Sequence, residues 1–182
     1  MTTIGVIADT HIPDRASHLH PKALTTLQEA GVVAILHAGD ICSSKVLDQL
    51  EVLAPVYAVQ GNRDVWRLSH LPMNLSLEFD GVKIGMTHGH GGLANYLSQK
   101  LSYFIAGFQV TKFQASLRQE FPQAKVIVFG HTHRSENTWS HGVLLFNPGP
   151  ASQFRWGREP CSLGLLHLQD GEVLKSEIIP LD

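Results

Sequence analysis

Short apolar runs alternate with polar, glycine-bearing segments along the first third of the chain. Ile4 to Ala8 predicts a buried strand that ends at Asp9-Thr10-His11. Pro21 suits the first turn of a helix, continued by Leu24, Leu27 and Gln28 and stopped by Gly31. Val32 to Leu36 predicts a second strand, closing at His37-Ala38-Gly39-Asp40. Ser43 or Ser44 is placed to N-cap a second helix through Leu47 and Leu50. Pro55 to Val59 predicts a third strand, closing at Gln60-Gly61-Asn62-Arg63-Asp64. Strand, helix, strand, helix, strand argues for a parallel, doubly wound start with right-handed crossovers.

The texture then changes. Leu75 to Phe79 alternates, Asp80-Gly81 is a hairpin turn signal, and Val82 to Met86 returns, ending at Thr87-His88-Gly89-His90. Residues 93–121 predict helix and carry the aromatics Tyr96, Tyr103, Phe104, Phe108 and Phe113, up to Pro122. A strand over 125–129 leads into Gly130-His131-Thr132-His133. Hairpins are expected over Asn137 to Phe146 and over Leu163 to Ile179, the second turning at Asp170-Gly171. No repeat, low-complexity tract or linker interrupts the pattern. The expectation is one domain over residues 1–182, with two sheets and helices outside.

Polar residues gather just past the predicted strand ends. In open α/β sheets, ligands bind beyond the carboxyl ends of the strands. His131 and His133, at i and i+2, would share a side if the chain there is extended, and Asp9 and His11 repeat the spacing. Imidazole is the commonest protein metal ligand. The strand-end set is Asp9, His11, Asp40, Asn62, His88, His131 and His133. These donors exceed what one tetrahedral zinc would use and suit two divalent ions sharing a carboxylate. Oxygen plus imidazole without thiolate favours manganese, iron or zinc over copper(I) or an iron–sulfur cluster. Two dications, two carboxylates and a hydroxide leave a net positive centre. Such a centre holds a phosphate oxygen and activates a water, with no serine or cysteine nucleophile required.

Composition narrows the field. The 182 residues are those of an ordinary globular chain, with a formal charge of −2. That charge argues against a broad grip on a nucleic acid backbone. Two distant cysteines, Cys42 and Cys161, form no zinc-finger pattern and imply no disulfide scaffold. No signal sequence or membrane-spanning run is evident, so a cytoplasmic location is expected. Histidine is the compositional excess, with eleven against fourteen lysines plus arginines.

In order along the chain come Asp9-x-His11, Gly39-Asp40, Gly61-Asn62-x-Asp64, His88-Gly89 and Gly130-His131-x-His133. This series resembles the calcineurin-like metallophosphoesterase superfamily, and the compact spacing resembles its short prokaryotic phosphodiesterase branch. The resemblance implies a four-layer α/β/β/α sandwich. It implies that Asp9, His11 and His133 hold one metal, that Asp40 bridges, and that Asn62, His88 and His131 hold the second. The implied cofactors are two divalent ions per chain, manganese first, with iron, zinc or nickel as alternatives. The implied activity is hydrolysis of a small phosphate ester, a diester before a monoester, by water or hydroxide bridging the ions. A small nucleotide falls within that substrate class, whereas a membrane or a nucleic acid polymer is not expected as partner. The alternative reading is a non-catalytic scaffold of the same fold, and the aromatic segment leaves room for a homo-oligomer.

Two positions depart from the family pattern. Many relatives carry a histidine after the Asn, thought to protonate the leaving oxygen. Here Arg63 stands there, and a guanidinium cannot give up its proton near neutral pH. Arg63 is a candidate phosphate clamp and His90 a candidate substitute acid. Pro150 stands where relatives often have Ser. Asp64 reads as a helix N-cap or a partner for Arg63, and His37 and Cys42 as groups able to orient Asp40. Asn147-Pro148-Gly149 reads as a turn beside the site.

Overall fold

The computed structural model describes residues 1–90, 110–152 and 160–181. Its strands are β1 (Thr2–Ile7), β2 (Ala34–His37), β3 (Val56–Ala58), β4 (Asn74–Phe79), β5 (Val82–Thr87), β6 (Val126–Val128), β7 (Glu136–Ser140), β8 (Val143–Asn147), β9 (Ser162–Gln169) and β10 (Glu172–Pro180). The helices are α1 (Pro21–Glu29), α2 (Ser44–Glu51) and α3 (Val110–Glu120). One sheet has the order β10-β9-β1-β2-β3, the other β4-β5-β6-β8-β7. The inner neighbours β1, β2, β3 and β5, β6, β8 run parallel, and antiparallel strands flank them.

Strand periodicity builds the layers. Ile4 and Val6 of β1 and Ala34 and Leu36 of β2 face the second sheet, meeting Val82, Ile84, Met86, Val126, Val128, Leu144 and Phe146. Their neighbours Ile7 and Ile35 point the other way, onto Ala23 and Leu27 of α1 and Val46 and Leu50 of α2. On the far side, Phe113, Leu117 and Phe121 cover Ile127, Phe129 and Leu145. The result is helix, sheet, sheet, helix. Strands buried on both faces read as unbroken apolar runs, which is how β1, β2 and β6 appear in the chain.

Two expectations change in detail. The first sheet is not doubly wound: β1, β2 and β3 lie side by side in chain order, and α1 and α2 pack into one apolar cluster. The other face is taken by a second sheet, so it has no room for a crossover helix. Of the helix expected over 93–121, the described part is α3, and the aromatics from Tyr96 to Phe108 lie outside the described residues. Ser43 proves to be the N-cap of α2, its hydroxyl accepting from the Lys45 amide at 3.3 Å. Among the described residues, three hairpins turn on an X-Gly pair with both residues at positive φ: Asp80-Gly81, His141-Gly142 and Asp170-Gly171. Among the described residues no helix is long and apolar enough to cross a membrane.

Candidate metal centre

The loops after β1, β2, β3, β5 and β6 converge and are stitched together by backbone bonds. Asp9 N donates to the Gly39 carbonyl (3.0 Å), His11 N to that of Asp40 (2.9 Å), and Gly130 N to that of His88 (3.3 Å). The packing leaves no space at two glycines. A Cβ on Gly39 would lie 2.7 Å from His88 Nδ1, and one on Gly61 would collide with the amide and carboxylate of Asp40.

Asp9, His11, Asp40 and His133 form one donor group, each offering an atom within 4.8 Å of the others. His133 Nε2 lies 3.2 Å from Asp9 Oδ1 and 3.3 Å from His11 Nε2, and His11 Nε2 lies 3.7 Å from Asp40 Oδ2. Asn62, His88 and His131 form a second group. Asn62 Oδ1 is 3.2 Å from His88 Nε2 and 3.1 Å from His131 Nδ1. Asp40 joins the groups, with Oδ2 toward His11 and Oδ1 3.5 Å from His88 Nε2. All seven predicted donors therefore meet at one end of the sandwich. Asp9, His11 and His88 are fully buried, and Asn62 and His133 are partly open to solvent.

His131 and His133 do not share one side of an extended chain. Their φ angles are 68° and 53°, so the chain there is not extended. The turn sends the rings apart, His131 toward Asn62 and His133 toward Asp9 and His11. Asp9 and His11 likewise sit at positive φ.

The donor chemistry fits cations. The His88 Nδ1–H donates to the Ala38 carbonyl at 2.7 Å, because a carbonyl can only accept. His88 Nε2 faces the oxygens of Asn62 and Asp40, both acceptors, so a lone pair there would meet lone pairs. A second proton or a cation resolves that conflict. In the other group, Asp9 Oδ1 is buried, with ring nitrogens of His133 and His11 at 3.2 and 3.8 Å. Burial outweighs the pull of the Asp9 carboxylate and depresses His11 to about 3. Burial, aided by the charge of His88, depresses His131 to about 4. Burial pushes the Asp9 carboxyl up, but His133, His88 and His11 together hold it below the usual range. Asp40 is raised, mainly by burial and then by Asp9, against the pull of His88. Unprotonated imidazoles beside buried carboxylates are the state a divalent ion binds.

The other residues singled out in the sequence lie around this centre. Arg63 has an exposed side chain, and its amide donates to Asp40 Oδ1 at 2.8 Å. His90 is buried, with its ring centroid 5.4 Å from that of His88 and 6.4 Å from that of His131. Asp64 is neither a helix cap nor a partner of Arg63. Fully buried, it accepts from the amides of Ile41 (3.0 Å), Cys42 (2.7 Å) and Gly61 (2.8 Å), clamping two donor loops together. The sequence signal for that role is an acid two residues beyond Asn62 in a loop that must turn back on β2. His37 Nε2 meets the Thr10 hydroxyl at 3.2 Å and so supports the Asp9–His11 loop instead of Asp40. Asn147 Nδ2 donates to the Gly130 carbonyl and to Thr132 Oγ1, both at 3.0 Å, and steadies the histidine turn. Cys42 and Cys161 are both buried.

A four-layer α/β sandwich with acidic and imidazole donors crowded at its strand ends defines a metal-binding hydrolase class. Residues 2–171 match the calcineurin-like phosphoesterase superfamily domain, and the chain belongs to that family. The family uses divalent metals. A probable metallophosphoesterase of Methanothermobacter thermautotrophicus is 36% identical over 97% of this chain and 91% of its own. A phosphodiesterase of Methanocaldococcus jannaschii is 26% identical over 85% of this chain and 87% of its own. Among solved structures, Vps29 of Entamoeba histolytica complexed with zinc superposes with a TM-score of 0.74 at 23% identity, covering both chains fully. At that identity the likeness concerns the fold alone.

Proposed function

We propose that this chain is a two-metal phosphodiesterase acting on small phosphate esters, with manganese as the first choice of metal. The observation that carries the reading is Asp40, whose two oxygens face two separate donor groups. The phosphodiesterase of M. jannaschii supports the diester preference. Asp9, His11 and His133 would hold one ion, Asn62, His88 and His131 the other, and Asp40 both. Bound divalent ions would supply Lewis acidity toward the phosphate and a water of lowered pKa.

The chain's own groups do the rest. Asn62 directs its carbonyl oxygen inward, which leaves its amide hydrogens to meet a substrate oxygen. Arg63 is a fixed cation at the mouth and serves to hold a phosphate oxygen. Burial, followed by the charge of His88, depresses His90 to about 4, so it is neutral at pH 7. That works against His90 as a proton donor to the leaving group.

Manganese-supplemented protein is expected to hydrolyse an aryl phosphodiester faster than the matching monoester. Asp40→Asn should lower the diester rate by more than about a hundredfold. Equal rates in variant and parent would contradict the bridging role of Asp40. A faster monoester reaction would favour a phosphomonoesterase. Absence of hydrolysis with every divalent ion tried would favour a non-catalytic scaffold.

A further inference from the structure

The turn after β1 carries Asp9 and His11 at φ of 52° and 49°, with the fully buried Thr10 between them. Such angles are disfavoured for side chains other than glycine, so the turn keeps its shape only while outside bonds fix it. Thr10 receives those bonds at two atoms. Its hydroxyl lies 3.3 Å from the Ile41 carbonyl, which can only accept, so the hydroxyl hydrogen goes there. His37 Nε2, 3.2 Å from the same hydroxyl, is then the donor. The Thr10 carbonyl in turn accepts from the hydroxyl of Ser152, a buried residue 142 positions along the chain.

Ser152 ends a tightly held segment. The Asn147 amide group grips the histidine turn at Gly130 and Thr132, and Asn147 Oδ1 accepts from the Gly149 amide at 2.9 Å. The Pro150 carbonyl accepts from the Ser162 amide of β9 at 3.0 Å, and the Ala151 amide donates to the Ala8 carbonyl at 3.0 Å. Residues 147–152 thus strap the turn bearing His133 to the turn bearing Asp9 and His11. These are three of the four residues of one donor group. Asn62, His88 and His131 have other supports, His88 on the Ala38 carbonyl and the Gly61 amide on Asp64. Asp9 Oδ2 also accepts from the His131 amide at 3.2 Å, which is the route for a smaller effect on that second group. Resting on the two-metal reading above, we propose that Ser152 is a positioning residue for one ion of the pair. Through the Thr10 carbonyl it sets the Asp9–His11 turn, and so the affinity of the ion held by Asp9, His11 and His133.

The test is calorimetric titration of manganese into the chelated protein and its Ser152→Ala variant, which loses one hydroxyl and gains no bulk. One ion should bind at least about tenfold more weakly, as is usual when a support of metal ligands is removed, and the other within about threefold. Two further backgrounds identify the ion. In His88→Ala, which disables the second group, adding Ser152→Ala should again weaken the remaining ion about tenfold. In His133→Ala, which disables the first, adding it should change the remaining ion by less than about threefold. Two ions left within threefold by Ser152→Ala, or both weakened equally as by general loosening, overturn the role of Ser152 alone. A single ion in the parent contradicts the two-metal reading. It supports Ser152 if the variant weakens that ion tenfold and overturns both claims if it does not. A parent that binds no manganese overturns both.

Discussion

Asp9, His11, Asp40, His131 and His133 all have φ between 49° and 68°, a region where side chains other than glycine are uncommon. Each such residue costs roughly 1–2 kcal/mol, so the surrounding bonds must hold it there. Asp64 supplies three of those bonds, to Ile41, Cys42 and Gly61. Asp64→Ala should destabilise the protein by roughly 3–5 kcal/mol, because it orphans amides packed around a buried charge. It should also weaken manganese binding. Urea unfolding and a metal titration check both, and a variant as stable as the parent would refute the clamp. Arg63 sets a second expectation at this scale. With a permanent cation where a proton donor is usual, phenolate leaving groups should depart faster than alkoxides, which need protonation. Rates for aryl and alkyl diesters of one nucleoside measure this, and equal rates would point to another acid.

At the level of elements, the polar residues that follow β1, β2, β3, β5 and β6 are the ones brought together at the candidate centre. β2 also carries His37, buried at the strand end and bonded to Thr10 in the loop after β1. Burial depresses His37 to about 3 from an ordinary 6.5. Between those values the unfolded chain binds the proton and the folded chain does not. Stability is therefore fully present above pH 6.5 and falls as the pH drops toward 3, by up to ~1.4 kcal/mol per pH unit for one proton. Other depressed histidines add to this slope, so the informative quantity is a difference. In chelator, His37→Gln should lose stability less steeply than the parent between pH 6.5 and 4. Identical slopes in urea titrations would show that His37 is not the buried neutral group described.

For the whole molecule, the layers and the donor identities are legible in the chain because both rest on local pattern. Apolar runs such as Val126 to Phe129 announce strands buried on both faces, and Gly-His-Thr-His follows one of them directly. Strand order is not local: β9 and β10 join β1 from the far end of the chain, and a second sheet covers the face where crossover helices were expected. The backbone turn that divides His131 from His133 is equally hidden, since φ does not follow from residue type. Asp64 is hidden for a related reason, as its partners are amides of a loop some twenty residues earlier.

The proposed two-metal chemistry requires two donor groups joined through Asp40. Calorimetric titration of manganese into the chelated protein tests it most directly. It predicts two ions per chain, falling to one in His88→Ala. A single ion in the parent, or none, would contradict it.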